Sequence, residues 1–305
     1  MRYDFNPQNP EEMQRIISEK VVYSGVYEDT DEIQDLVIPE GIEEIAENTF
    51  RDFQSIRTVR LPKSLRRISA AAFSGCKNLK EIYFKEGVTD IADEAFAFCP
   101  ALLSVKLPST VVRIGEGAFE GAASLGVLEL SEGLEVIASG AFSFCFTLRD
   151  VVIPESVKLI EFSAFMNCFA LEGVKLPSGL GLIDESTFEG CRSLKAVDLP
   201  ARLFRIGRRA FKGCSSLELM ILPITLMTVG LDAFSGCKSL KRLALPKSLT
   251  ELEDSDVFSG CDSLTEITFS GDKRAWEFLN RGKTLTVERS DLSLFSPKVS
   301  FLDLK

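Results

Sequence analysis

The sequence predicts an α/β fold: a right-handed solenoid of about ten coils, with one strand to a coil and a cap at each end. Three observations carry this. Phenylalanine recurs every 23 residues, at Phe50, Phe73, Phe96, Phe119, Phe142, Phe165, Phe188, Phe211 and Phe234, with Phe258 one residue late. Counted from the Phe, aliphatic residues hold fixed places at +6 (Leu79, Leu102, Leu125), at +9 and +11 (Val105 with Leu107, Val174 with Leu176), at +15 (Val111, Leu134, Leu180) and at +18 (Ile68, Ile91, Ile114). Proline stands at +12 in most units, as Pro62, Pro108, Pro154, Pro177, Pro200, Pro223 and Pro246. A fixed period of this length marks stacked small units that bury their apolar edges on one another.

Within a unit, the aliphatics at +9 and +11 alternate with polar residues, the period of a short strand with one face buried. Proline lacks an amide donor and fixes φ, so it ends strand pairing at the same place in every coil. The stretch from +18 to the next Phe (RISAAAF, RIGEGAF, RIGRRAF) is too short for a long helix and suits a helical turn or a 3₁₀ segment. Glycines at +2 (Gly75, Gly190, Gly213, Gly236, Gly260) read as turn glycines. All eight cysteines fall at +3, where Phe53 and Ala122 stand in two other units. Equivalent positions in a stack point the same way, which disfavours disulfides, and no close C-x-x-C pair is present for zinc. A buried row of small apolar groups is expected.

The ends differ from the repeat. Asn9-Pro10-Glu11-Glu12 reads as a helix start, with Asn as N-cap, Pro at the first helical position and acids in the first turn. A second helix is expected from Asp272 to Arg281, stopped by Gly282, and the alternating tail LTVERSDLSLF is expected to add a small strand or to trail. The expected division is 1–26 as an N-terminal helical cap, 27–270 as the solenoid and 271–305 as a C-terminal cap and tail.

The unit LxxIxxxAFxxCxxLxxVxLPxS resembles the BspA-like leucine-rich repeat, a 23-residue bacterial type, over about residues 27–270. The segment Thr268–Leu279 (TFSGDKRAWEFL) is similar to the strand, turn and Trp-bearing helix that often closes such arrays. Departures are modest: Lys85 and Ser131 replace Pro, and one residue is inserted near Glu253–Asp256. The resemblance implies a curved leucine-rich-repeat solenoid with a parallel sheet on its concave face. It also implies a role in adhesion or protein binding, often secreted or at a microbial surface.

Composition bounds the chemistry. The chain has 305 residues, no histidine, and a net charge of −10, all of which is carried by residues 1–50. An acidic end and a neutral body leave no electrostatic footprint for nucleic acid. The cluster Arg202, Arg205, Arg208, Arg209 and Lys212 reads as solvated surface. The opening stretch MRYDFNPQNPEEMQRI lacks a basic region followed by an apolar run, so no signal peptide is expected. No segment approaches about 18 consecutive apolar residues, so no membrane insertion is expected. Without histidine the commonest general base and metal ligand are missing, and no G-x-S-x-G elbow or phosphate-binding loop is present. The acidic pairs Glu43-Glu44, Asp93-Glu94 and Glu253-Asp254 fall in expected exposed turns. No catalytic residue, metal ligand or cofactor site is expected.

Two surfaces remain as candidates. The outward strand position at +10 varies while its neighbours stay fixed: Arg60, Tyr83, Lys106, Glu129, Val152, Lys175, Asp198, Ile221 and Ala244. On the concave face, Arg60, Tyr83, Lys106 and Glu129 would form a polar half. Val152, Ile221 and Ala244 would form an apolar half, joined by Val127 and Leu219 where the twist exposes them. Tyr83 is the best single anchor for a partner, or else simply a strand-forming residue. The second surface is a set of aromatics that break the repeat: Phe98 and Phe144 in place of turn Gly, with Phe146, Phe162, Phe169 and Phe204 in usually polar slots. Val136, Leu159 and Leu182 add an apolar row at +17. These rings are either a contact patch or packing of variant turns. The function expected is a non-enzymatic scaffold binding a protein or glycan partner; a structural spacer, or an enzyme using surface carboxylates, are the alternatives.

Overall fold

All but one of the described coils carry two strands where the sequence pattern shows one. The first is the expected strand at +8 to +10, whose central residue is buried and whose flanking residues face outward, as in Thr58–Arg60, Ser104–Lys106 and Leu219–Ile221. The second is a two-residue strand ending at the +18 aliphatic, as in Arg67–Ile68 and Arg113–Ile114. The expected helical segment is absent there. After the second strand the chain reverses through consecutive turns, with Arg51 donating from its amide to the carbonyl of Asn48 and Phe53 to that of Phe50. The 24-residue step to Phe258 takes up its extra residue in a 3₁₀ helix, Ser255–Phe258. Helix is therefore scarcer than an α/β label suggests, and the fold is a parallel β-solenoid of about ten turns.

This computed structural model describes residues 18–23, 33–253, 255–279, 287–288, 294–295 and 297–301. The chain divides into two compact units, Met1–Arg149 and Asp150–Lys305. In the first unit, the strands Asp35–Val37, Thr58–Arg60, Glu81–Tyr83, Ser104–Lys106 and Val127–Glu129 pair in parallel with residues opposite their equivalents 23 positions on, as Val37 with Arg60, Arg60 with Tyr83 and Lys106 with Glu129, and with Glu81 opposite Ser104 as the one pair between the third and fourth strands. The two-residue strands pair likewise, aligning Ile45, Ile68, Ile91, Ile114 and Ile137.

In the second unit, Asp150–Val152 pairs with Gly173–Lys175, and Leu219–Ile221 pairs with Arg242–Leu245, which pairs in turn with Glu266–Phe269. The chain between these groups, at Ala196–Asp198, makes only isolated bridges, Lys175 to Asp198 and Ala196 to Leu219.

The repeated phenylalanines form the spine of each unit. In the first, Phe50, Phe73, Phe96, Phe119 and Phe142 stack with centroids 5.0 to 5.5 Å apart. In the second, Phe165, Phe188, Phe211, Phe234 and Phe258 stack at 5.6 to 6.0 Å. Every one is fully buried, and nearly parallel rings at these separations are in the offset stack that ring quadrupoles favour.

Side chains at fixed places lace coil to coil. The cysteines are free and buried, and Cys76, Cys99, Cys191, Cys214, Cys237 and Cys261 each donate a thiol hydrogen bond to the carbonyl of the Phe one coil back, at 3.1 to 3.2 Å. After the proline turn, Ser64, Thr110, Thr225 and Ser248 donate their hydroxyls to the carbonyls of Ile42, Val88, Leu203 and Leu226, at 2.7 to 2.8 Å. The hydroxyl bonds satisfy backbone acceptors that the turn leaves unpaired, whereas the thiols add a second donor to phenylalanine carbonyls that already accept the amide three residues on.

The +2 turn residue has positive φ in every coil that follows, whether it is Gly75 (75°), Gly121 (68°), Phe98 (54°) or Phe144 (60°). At Asp52, Phe98 and Asn167 the side chain leans over the glycine of the next coil. A Cβ on Gly75 would lie 2.1 Å from Asp52 Oδ1, one on Gly121 3.0 Å from Phe98 Cδ1, and one on Gly190 2.2 Å from Asn167 Oδ1. These glycines therefore answer a neighbour as well as a dihedral.

At the C-terminal end the expected strand, turn and helix are present. Glu266–Phe269 leads to the helix Lys273–Leu279, capped by Asp272 Oδ1, which accepts from the Ala275 amide at 2.8 Å. Trp276 is buried against Phe269, with centroids 5.5 Å apart. The tail adds Lys298–Phe301 as a further parallel strand beside Glu266–Phe269. The expected N-terminal helix start at Asn9, the coil residue Tyr27 and the helix stop at Gly282 lie outside the described residues. Among the described residues, no helix is long and apolar enough to cross a membrane.

Candidate functional site

The alternation that buries +9 and +11 leaves +8 and +10 pointing away from the core, and every residue expected at +10, from Arg60 to Ala244, is exposed. In the first unit this face is polar and largely self-paired. The Arg60 guanidinium sits 4.4 Å from the Tyr83 ring centroid. The Tyr83 phenol donates to the Glu81 carboxylate, and this bond, with slight burial, raises the phenol above its ordinary range. Lys106 Nζ lies 2.6 Å from Glu129 Oε1. Tyr83 is thus held on its face and at its hydroxyl, a rigid ring with 38% of its surface open. Val127, at +8, is exposed beside this polar group.

In the second unit the same face turns apolar. Val152, Leu219 and Ile221 are exposed by 61%, 55% and 70%. Lys175, Asp198 and Ala244 are exposed among them. One further residue belongs with this group and was not singled out from the pattern: Ile224, at +13 just past Pro223, is 85% exposed. The column it occupies is Lys63, Glu86, Ser109, Glu132, Glu155, Ser178 and Ala201 in earlier coils and Lys247 in the next, so a large aliphatic there was a readable signal.

The aromatics that break the repeat fall in four columns. Phe98 and Phe144 take the +2 turn, Phe146 and Phe169 take +4, Phe204 takes +16 and Phe162 takes +20. In the first unit, Phe98 is 55% exposed and its ring covers Gly121, while Phe144 is half-buried in an edge-to-face contact with Phe146 at 6.1 Å. In the second, Phe169 is half-buried with the Arg192 guanidinium 4.3 Å above its ring, and Phe204 covers Gly181. Phe162 and Leu159 are exposed, whereas Val136 and Leu182 are half-buried.

The remaining polar clusters are tied to neighbours. Arg205 pairs with Glu253 at 3.7 Å, Arg209 with Glu189 at 3.8 Å, and Lys212 with Asp232 at 2.6 Å, which absorbs three charges of the basic cluster. Glu43 pairs with Lys20, and Asp93 with Arg113. Burial, then the charge of Glu94, raises the Glu120 carboxyl. Burial pushes the thiols of Cys191, Cys214 and Cys237 far up, and that of Cys261 up to about 12, so they stay protonated and unreactive. Among the described residues no group of three or more His, Cys, Asp or Glu is arranged to hold a metal ion.

Comparison with solved structures finds the same fold in a bacterial protein and a likeness to others. The pneumococcal vaccine antigen PcpA shares 22% identity at a TM-score of 0.52, over 93% of this chain and 92% of that one. A leucine-rich repeat protein from Bacteroides ovatus shares 22% identity (TM-score 0.49, 93% and 87% covered). A leucine rich cell surface protein from Faecalibacterium prausnitzii shares 26% identity (TM-score 0.49, 81% of each chain covered). Among curated proteins none matches the chain. The pattern of the BspA type leucine rich repeat region matches in six copies, over residues 20–149, 112–240 and 181–276. With the 23-residue register, the phenylalanine spine and these matches in hand, the chain belongs to the BspA-type leucine-rich repeat family.

Proposed function

We propose that the protein is a non-enzymatic scaffold that binds a protein or glycan partner through the outward face of its three-residue strands, the face that is concave in the family's fold. One observation carries this reading: inward strand positions repeat from coil to coil, while the exposed positions alternating with them change from Arg60 and Tyr83 to Val152 and Ile221. A solenoid fixes only what it buries, so outward strand positions are free to be shaped by a partner. Adhesion or interaction at a microbial surface is the setting we propose, with residues 1–26 and 271–305 closing the ends of the 27–270 array.

The test is a displayed protein library and a glycan array, each probed with the full chain, followed by affinity measurement on variants. Tyr83→Ala with Lys106→Ala should weaken partners of the first unit's face by more than about tenfold, because rigid exposed aromatics dominate contact energetics, with an unchanged melting temperature. Unchanged affinity in the folded double variant would move the site to the turn surface around Phe98 and Phe146. A structural spacer is the second reading, favoured by the self-pairing of Lys106 with Glu129 and of Arg60 with Tyr83. A chain that captures neither proteins nor glycans supports it.

A further inference from the structure

The second unit contains a step in its outward columns. Three consecutive outward positions are small in one coil and large in the next: Ala196 beside Leu219, Asp198 beside Ile221, and Ala201 beside Ile224. The first coil is also where strand pairing thins to isolated bridges. The result is a cleft of about 340 Å³ with Ala196, Asp198 and Ala201 as its floor and Leu219, Ile221 and Ile224 as its wall. That volume lies at the lower end of ligand-binding clefts and suits one large side chain. The wall leaves three aliphatic side chains in water, an arrangement that costs solvation unless something covers them.

Charge selects the occupant. Asp198 is the one ionised side chain in the lining, and among the described residues it forms no ion pair. Lys175 stands opposite it on the neighbouring strand but makes no ion pair with it. A carboxylate beside an apolar wall matches a group with an apolar body and an adjacent cation. A sugar fits poorly, because aliphatic walls and a single carboxylate cannot satisfy its hydroxyls. We propose that this cleft binds a polypeptide segment presenting one large apolar side chain within two residues of a Lys or Arg. The inference rests on the reading of the strand face as a binding surface and names what the second unit's part of it selects.

The experiment is a random peptide library displayed on phage, panned on the full chain and counter-selected on the Ile221→Ser, Ile224→Ser double variant. Both residues are so exposed that the double variant should fold, which circular dichroism and Trp276 fluorescence check. Enriched peptides should share an apolar residue next to Lys or Arg. They should lose more than about tenfold in affinity on the double variant and about two- to fivefold on Asp198→Asn. No enrichment, a consensus without a cation, or full binding to Asp198→Asn would each overturn the proposal. So would glycan binding lost in the double variant, or a dimer of the wild type that Ile221→Ser makes monomeric, which would assign the cleft to a second copy. Peptides that survive on the cleft variant but are lost on Tyr83→Ala, Lys106→Ala would refute the cleft and leave the strand-face reading standing.

Discussion

Replacing Phe211 with alanine removes a fully buried ring that stacks on Phe188 at 5.6 Å and on Phe234 at 5.7 Å. Large-to-small substitution of a buried phenylalanine costs about 3–5 kcal/mol. The upper part of that range applies here, because two ring contacts, each worth about 0.5–1.5 kcal/mol, disappear together. The coils on either side are fixed by their own hydrogen-bond ladders and cannot collapse into the space. Phe204 supplies the control: it lies in the same unit, carries the same side chain and is half exposed, so Phe204→Ala should cost less than about 1.5 kcal/mol. Urea unfolding followed by circular dichroism reads the whole chain, and the single tryptophan, Trp276, reports on the C-terminal end of the same unit. A loss below about 2 kcal/mol for Phe211→Ala, or equal losses for the two variants, would refute the claim that the ring stack is the energetic spine.

Thiol titration of the native protein should find few reactive groups, and titration in denaturant close to all eight, since burial keeps the thiols protonated and inaccessible; native disulfides would contradict it. Gly213→Ala and Gly190→Ala separate dihedral from contact. Both have φ near 75°, but a new Cβ meets only the Gly190 backbone at 3.7 Å in the first and Asn167 Oδ1 at 2.2 Å in the second. The first should cost about 1 kcal/mol and the second more, with Asn167→Gly removing the excess. Glu120, whose carboxyl is raised above its ordinary 4.5 by burial and then by Glu94, binds its proton more tightly folded than unfolded. Its contribution is therefore fully present below the unfolded value and lost as pH rises through the folded one. Urea midpoints at pH 7 and pH 5 should show the wild type gaining more on acidification than Glu120→Gln; parallel shifts would exclude the effect.

The columns of Phe, Leu, Ile and Cys were readable because each is written about ten times, so a stack imposes the same demand repeatedly on the same place. The second sheet was not. Two-residue strands such as Arg67–Ile68 contribute one buried side chain, too little to show a period, and their flanks resemble a helical turn. The turn hydroxyls of Ser64 and Thr110 stayed hidden because a serine or threonine after proline looks like ordinary loop polarity until its acceptor one coil away is visible. On the strand face, exposure at +10 followed from alternation alone. The pairing of Lys106 with Glu129 follows from the 23-residue register once strands are known to be in parallel alignment. The cleft depends on size differences between adjacent coils at Ala196 and Leu219, at Asp198 and Ile221, and at Ala201 and Ile224, a comparison between columns that a coil-by-coil reading does not make.

The ladders that join one coil to the next also determine how the protein answers force. Backbone bonds such as Phe73 to Ala95 and Ala92 to Ile68 point along the stacking direction, and they recur from coil to coil within each unit. A pull in that direction within either unit loads these bonds end-on and in series, so the outermost coil gives way before its neighbour feels more than the shared tension. Each coil freed gives up a strand spacing of about 4.8 Å and returns 23 residues, about 75 Å of slack at roughly 3.3 Å per residue. The chain therefore lengthens by unwinding in small, equal increments, where a shear-loaded sheet would hold and then rupture once. A tether built this way absorbs drag by lengthening and can rewind coil on coil when the load falls.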